Sequence, residues 1–169
     1  MDKSGRVFVY IGTYTSEVIA LDDYAVVKGL YSLGAVGSYD AAVITKDHDG
    51  TVHVNKDESA TRHGMWGGLA VGALVGVLFP PSIIASAAVA GAAGGVAGHL
   101  SNGLSRADAK ELGEFIEAGE ACLLVIGEST IEAAIDTAGL KAERHVGKQL
   151  DVDAKDVDAA VKETAKLLG

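Results

Sequence analysis

The side chains that could do chemistry are few and scattered. "KDHDGTVH" (46–53) brings Asp47, His48, Asp49 and His53 close together in the chain. Imidazole with carboxylate can hold a transition metal, but no second cluster at a familiar ligand spacing accompanies them. The stretch reads instead as a solvated hairpin turn. His63 and His99 bracket an uncharged segment. They could titrate near neutral pH at a membrane surface, and they serve equally as polar caps on the segment's ends. Cys122 opens an apolar strand pattern with no histidine near it in sequence, the mark of a packing cysteine and not of a nucleophile. "IGEST" (126–130) lacks the glycine-rich loop and lysine of a phosphate-binding turn, so it reads as a helix cap. "DVDAKDVD" (151–158) lacks the glycine and terminal glutamate of a calcium loop and reads as the acidic first turn of a helix. No catalytic, cofactor-binding or metal-ligating residue is expected, and the chain is not expected to be an enzyme.

The scaffold around these residues is acidic. A length of 169 residues suits one domain, or one domain with an insertion. A net charge of −9 offers no basic stripe to offset phosphate repulsion, so nucleic acid is not an expected partner. A single cysteine rules out an intrachain disulfide and fits a reducing compartment. The opening "MDKSGRVFVYIGTYTS" is not expected to act as a signal peptide, because its apolar run is short and rich in β-branched and aromatic residues.

Periodicity predicts the elements. "RVFVYIGTY" (6–14) reads as a central strand. Residues 16–34 follow as a helix with Ser16 as N-cap and Ile19, Val26, Leu30 and Leu33 near helical spacing. "YDAAVITKD" and "TVHVNKD" read as two strands joined through a turn at Asp49-Gly50. Residues 105–119 read as a helix capped by Ser105, with Leu112, Phe115 and Ile116 on its apolar face. A buried strand (120–128), a helix (129–139) with a Ser129–Glu132 capping box and a closing Gly139, a strand (142–150) and a last helix complete the chain. With residues 61–104 set aside, the first six elements run β-α-β-β-α-β. The expected class is therefore α+β, a ferredoxin-like core with two helices on one face of a four-stranded antiparallel sheet. The expected division is 1–60 as its first half, 61–104 as an inserted helical hairpin, and 105–169 as its second half plus a C-terminal α-β-α extension.

The insertion is unlike the rest. From His63 to Ser105, 43 residues, there is no Asp, Glu, Lys or Arg, and all 37 charged residues fall elsewhere. Gly64, Gly68, Gly72 and Gly76 recur every fourth residue in the first arm, and Gly91, Gly94, Gly95 and Gly98 form neighbouring rows in the second. Each interior helix glycine costs about 1 kcal/mol against alanine. Close helix–helix packing would offset that cost, so these glycines are the candidate self-association surface. Pro80-Pro81 supplies the hairpin turn. The arms approach the ~20 residues that cross a bilayer, and Trp66, Arg62 and Arg106 could sit at its interface. Insertion is weakly driven, because the seven strongly apolar residues of the first arm contribute only about −2 to −4 kcal/mol. A hairpin buried in protein, against itself or other copies, answers the same pattern.

"HDGTVHV", "GMWGGLAVGALVGVLFPP" and "AAVAGAAGGVAGHLSNGLSRADAKELGEFIEAGEACLLVIGE" together resemble a bacterial family of unknown function, number 1269, over roughly residues 40–165. Pro80-Pro81 departs from the glycine and small residues typical of its hairpin turn. The resemblance implies a predicted membrane protein and carries no activity, cofactor or catalytic residue. The leading expectation is a non-enzymatic protein that self-assembles through the hairpin at the cytoplasmic face of the membrane, with lipid and its own copies as partners. The alternatives are a cytoplasmic homo-oligomer with the hairpins bundled, and a small-molecule sensor.

Overall fold

The structure, a computed structural model, describes residues 5–34, 38–47, 49–55, 66, 69–79, 95–118 and 120–168. Five strands form one antiparallel sheet: β1 (Arg6–Tyr14), β2 (Tyr39–Lys46), β3 (Val52–Asn55), β4 (Ala121–Glu128) and β5 (Arg144–Asp153). Their spatial order is β3-β2-β4-β1-β5. Six helices are described: α1 (Glu17–Ser32), α2 (Leu69–Leu78), α3 (Gly95–Gly103), α4 (Arg106–Ala118), α5 (Thr130–Ala138) and α6 (Ala154–Leu168).

β1 and β4 are apolar almost without interruption because both faces of the sheet are covered there. Val7, Val9 and Ile11 of β1 point into one core, with Leu124 and Ile126 of β4, while Phe8, Tyr10 and Tyr14 point into the other with Leu123 and Val125. A strand buried on one side only would alternate apolar and polar residues; a central strand buried on both need not. The second core is closed by α1, through Ala20, Tyr24 and Val27, and by α5, through Ile131 and Ile135. The first is closed by α2, α3, α4 and α6. The molecule therefore has three layers, helices–sheet–helices.

Local signals account for several helix ends. The Ser16 hydroxyl accepts the Ile19 N–H at 3.3 Å, and the Ser105 hydroxyl accepts the Asp108 N–H at 3.1 Å, as N-caps do. Gly139 ends α5 at φ 64°, a left-handed conformation that costs other residues energy. The Ser129 capping box does not form. Ser129 is already helical, at φ −60° and ψ −19°, and its side chain makes no cap bond. Its backbone N–H instead donates to the Arg6 carbonyl at 2.8 Å.

Three expectations need correction. The two helices expected on one face, α1 and the helix over 106–118, lie on opposite faces; α1's companion is α5. The last strand runs to Asp153, so the helix after it begins at Ala154 and not at the acidic residues from 151. On α1, Val26 and Leu33 face outward, 41% and 84% exposed. Ile19 and Leu30 do pack against the inner core, around the buried Ala20, Tyr24 and Val27.

Candidate functional site

The described part of the uncharged segment lies against the sheet. Ala70 to Val75 of α2 are buried, and the helix packs against α3, α4, α6, β2 and β4. A helix that is apolar all round belongs either in a bilayer or inside a protein; the neighbours of α2 are protein. α2 and α3 are described over 10 and 9 residues. Among the described residues no helix is long and apolar enough to cross a membrane.

Two adjacent residues of β2 fasten this layer. The first N–H groups of any helix lack partners within it. Here the Val71 N–H donates to Oδ2 of Asp40 at 3.0 Å, and Oδ1 of the same carboxylate accepts the Ala41 N–H at 3.1 Å. Asp40 is only 7% exposed. A carboxylate at a helix N-terminus is also favoured by the helix dipole. One residue earlier, the Tyr39 carbonyl accepts the Trp66 N–H at 3.4 Å. The Trp66 indole is 1% exposed and packs in the same core, so the residue expected at a membrane interface is an interior one in this fold. Its Nε1 has no hydrogen-bond partner among the described residues.

The glycines divide into unlike groups. Gly72 is buried in α2. Gly76 and Gly98 are exposed, and a Cβ added to either would meet nothing within 4 Å. Among the described residues these two therefore do not form the contact between the arms. Gly95 begins α3. Gly64, Gly68, Gly91, Gly94, Pro80, Pro81 and Arg62 lie outside the described residues, as do His48 and His63. Because Gly76 has open space beside it, Gly76→Ala is expected to raise stability by up to about 1 kcal/mol, the difference in helix propensity; a urea titration would read it. A clear loss of stability would mean that something packs on Gly76.

α3 is amphipathic. Val96, Leu100 and Leu104 turn inward, while Gly98, His99, Ser101 and Asn102 face out. Its outer surface is polar, which suits water better than lipid tails. Arg106 is exposed at the start of α4.

The other candidates show ordinary surroundings. His53 Nε2 lies 2.7 Å from Asp47 Oδ2, and the Thr51 N–H donates to Asp49 at 3.0 Å around a turn closed by Gly50 at φ 87°. Among the described residues no group of three or more His, Cys, Asp or Glu side chains is placed to hold a metal. Cys122 is buried, its Sγ lies 3.5 Å from the Ile116 carbonyl, and burial pushes its thiol up to about 11. Near neutral pH it is expected to resist thiol reagents in the folded protein and to react on unfolding in urea. Rapid labelling of the native chain would contradict this placement.

Two further features were not among those expected from the sequence. Asp23, 1% exposed, accepts from the Tyr14 hydroxyl at 2.5 Å and from the Lys141 N–H at 2.7 Å. Burial and that carboxylate hold the Tyr14 hydroxyl protonated, and burial raises Tyr10 beside it to about 12. This buried chain ties α1 and the approach to β5 onto β1. At the nearby end of the sheet, Thr13, Tyr14, Thr15, Phe115, Glu120, Glu143 and Arg144 line a cleft of about 410 Å³. The Arg144 guanidinium sits over the Phe115 ring at 5.2 Å, a cation–π contact. The Tyr14 hydroxyl, engaged by Asp23, is a poor acid at neutral pH. The cleft offers charge and an aromatic wall.

These features define a mixed α/β protein in which a glycine-rich segment supplies part of a helical layer. The chain belongs to the family described as "Protein of unknown function (DUF1269)", whose model matches residues 65–160, from beside Trp66 into α6. No curated protein and no solved structure shows a match.

Proposed function

We propose that this is a non-enzymatic protein that works by contact with copies of itself, its uncharged segment forming an inner layer of its own fold. The observation that carries the inner layer is the fastening of α2 to β2, where Asp40 caps the helix and Trp66 is buried in the same core, and contact with copies is supported by the exposed apolar side chains of α1. A segment held in this way completes the core over one face of the sheet. The underlying scaffold reads as ferredoxin-like in a different register from the sequence order: β1-α1-β2 and β4-α5-β5 are the two split crossovers, and β3 is an added edge strand. Each crossover encloses one strand of the other, β4 in the first and β1 in the second.

A second reading keeps the hairpin as a membrane element and is favoured by one observation, the 43-residue stretch without charge. Fractionation separates the two. With arms docked in the chain, the protein is expected in the supernatant after an alkaline carbonate wash of membranes. Trp66, the single tryptophan, should then show blue-shifted emission in lipid-free buffer that does not change when vesicles are added. Retention in the washed pellet, with Trp66 emission blue-shifting only when vesicles are added, would establish the membrane reading instead.

A further inference from the structure

Among the described residues, the large apolar side chains that remain exposed are Val18, Leu21, Val26 and Leu33, at 68%, 43%, 41% and 84%. All belong to α1 or its C-cap. At about 100° per residue they share one arc of roughly 140° with Ala25, Gly29 and Asp22. Leu21, Ala25, Gly29 and Leu33 follow one another every fourth residue along the outer side of the helix. A Cβ on Gly29 would meet nothing within 4 Å, so the middle of this face is low and its ends are high. Such a profile accepts a second helix closely.

We propose that two copies of this chain pair through the outer face of α1, antiparallel about a two-fold axis near Ala25. The proposal deepens the contact reading above, rests on it, and names the surface. Size supports it. The four side chains leave on the order of 400 Å² of apolar surface per copy, as large as the largest patch on a typical monomer. Pairing two such faces with their flanks approaches the ~1,000 Å² that a specific interface needs. Shape sets the direction. With the two-fold axis at Ala25, Leu21 of each copy stands level with Gly29 of the other, a high position against a low one, whereas a parallel pair sets Leu21 against Leu21. A symmetric pair is also closed, so it stops at two. A bilayer is a poorer occupant, because Asp22 lies within the face, Glu17 borders it, and a chain of net charge −9 is repelled by anionic lipid.

The test uses the full chain. Sedimentation equilibrium over a dilution series is expected to show a dimer that dissociates to monomer. Leu21→Glu places two like charges in the contact and should weaken association by at least about a hundredfold, with unchanged circular dichroism. Ala25→Cys, near the axis in a chain whose own Cys122 is buried, should give a disulfide-linked dimer under mild oxidation. Ala159→Cys, exposed on α6, should not. A parent that is monomeric at every concentration, or a dimer that Leu21→Glu leaves intact, overturns the proposal. So does a monomer that binds vesicles and loses that binding with Leu21→Glu. Trp66 emission is read on the same samples. A parent that never pairs while its Trp66 stays shielded without lipid overturns the α1 contact alone; an exposed Trp66 in the parent overturns the docked-arm reading.

Discussion

Trp66→Ala is expected to cost about 3–5 kcal/mol of folding stability, as removal of a large buried aromatic does. Total stabilities of 5–15 kcal/mol leave little after such a loss. The indole is 1% exposed within the core made by α2, α3, α4, α6 and the sheet. Its removal opens a cavity that the surrounding layers cannot fill without shifting α2 off the sheet. Trp66→Phe should cost clearly less. The ring volume is largely kept, and the lost Nε1–H has no partner among the described residues, so no bond goes with it. Urea titration followed by far-ultraviolet circular dichroism reads both variants, since the substitutions remove the fluorophore. If Trp66→Ala unfolds at the urea concentration of the parent, the indole is not part of the folded core, and the docking of the segment on β2 fails with it.

The sequence already carried the strands and most helices. "RVFVYIGTY" and "ACLLVIGE" are apolar without alternation, which signals burial on both faces. That signal was itself an argument for a third layer, and the uncharged segment was one candidate for it. What stayed hidden was pairing. Which strand lies beside β1 depends on contacts between residues more than a hundred positions apart, such as Val7 with Glu128, and no local pattern records these. The same holds for the segment's destination. Apolar surface has the same composition whether lipid or protein covers it. A finer clue was present at Asp40, a carboxylate inside an apolar strand. A charge there needs a partner, and the partner is the N-terminus of the helix the segment forms. Asp23, on the inner side of α1, was a second clue of the same kind. The glycine spacing drew attention to Gly76, beside which there is open space, and passed over Gly103, beside which there is none.

Gly103→Ala is expected to destabilise the protein by about 3 kcal/mol or more, at or above the upper end of ordinary overpacking. Gly103 ends α3 where the helix meets β5. An added Cβ would collide with Cγ2 of Val152 and stand 2.9 Å from the Asp151 carbonyl oxygen and 3.0 Å from its carbon. A rotamer change of Val152 could relieve the first contact. The second is with backbone, and that backbone is held. The pairing of β1 with β5 shifts register between Arg6 and Phe8, so Asp151 and Val152 lie in an irregular stretch of the ladder. Arg6 reaches over it to the carboxylates of both Asp151 and Asp153. The Ala154 N–H bonds the Gly5 carbonyl at 2.6 Å just beyond. Relief would therefore have to come from α3, which would lift Leu100 and Leu104 from the core they close. Gly98→Ala, in the same helix with open space beside it, is the control. Propensity alone predicts a gain of up to about 1 kcal/mol there. Thermal or urea unfolding of the two variants should thus move in opposite directions. Equal, small effects at both positions would show that α3 does not approach β5 this closely, and that the uncharged segment is not packed where the fold places it.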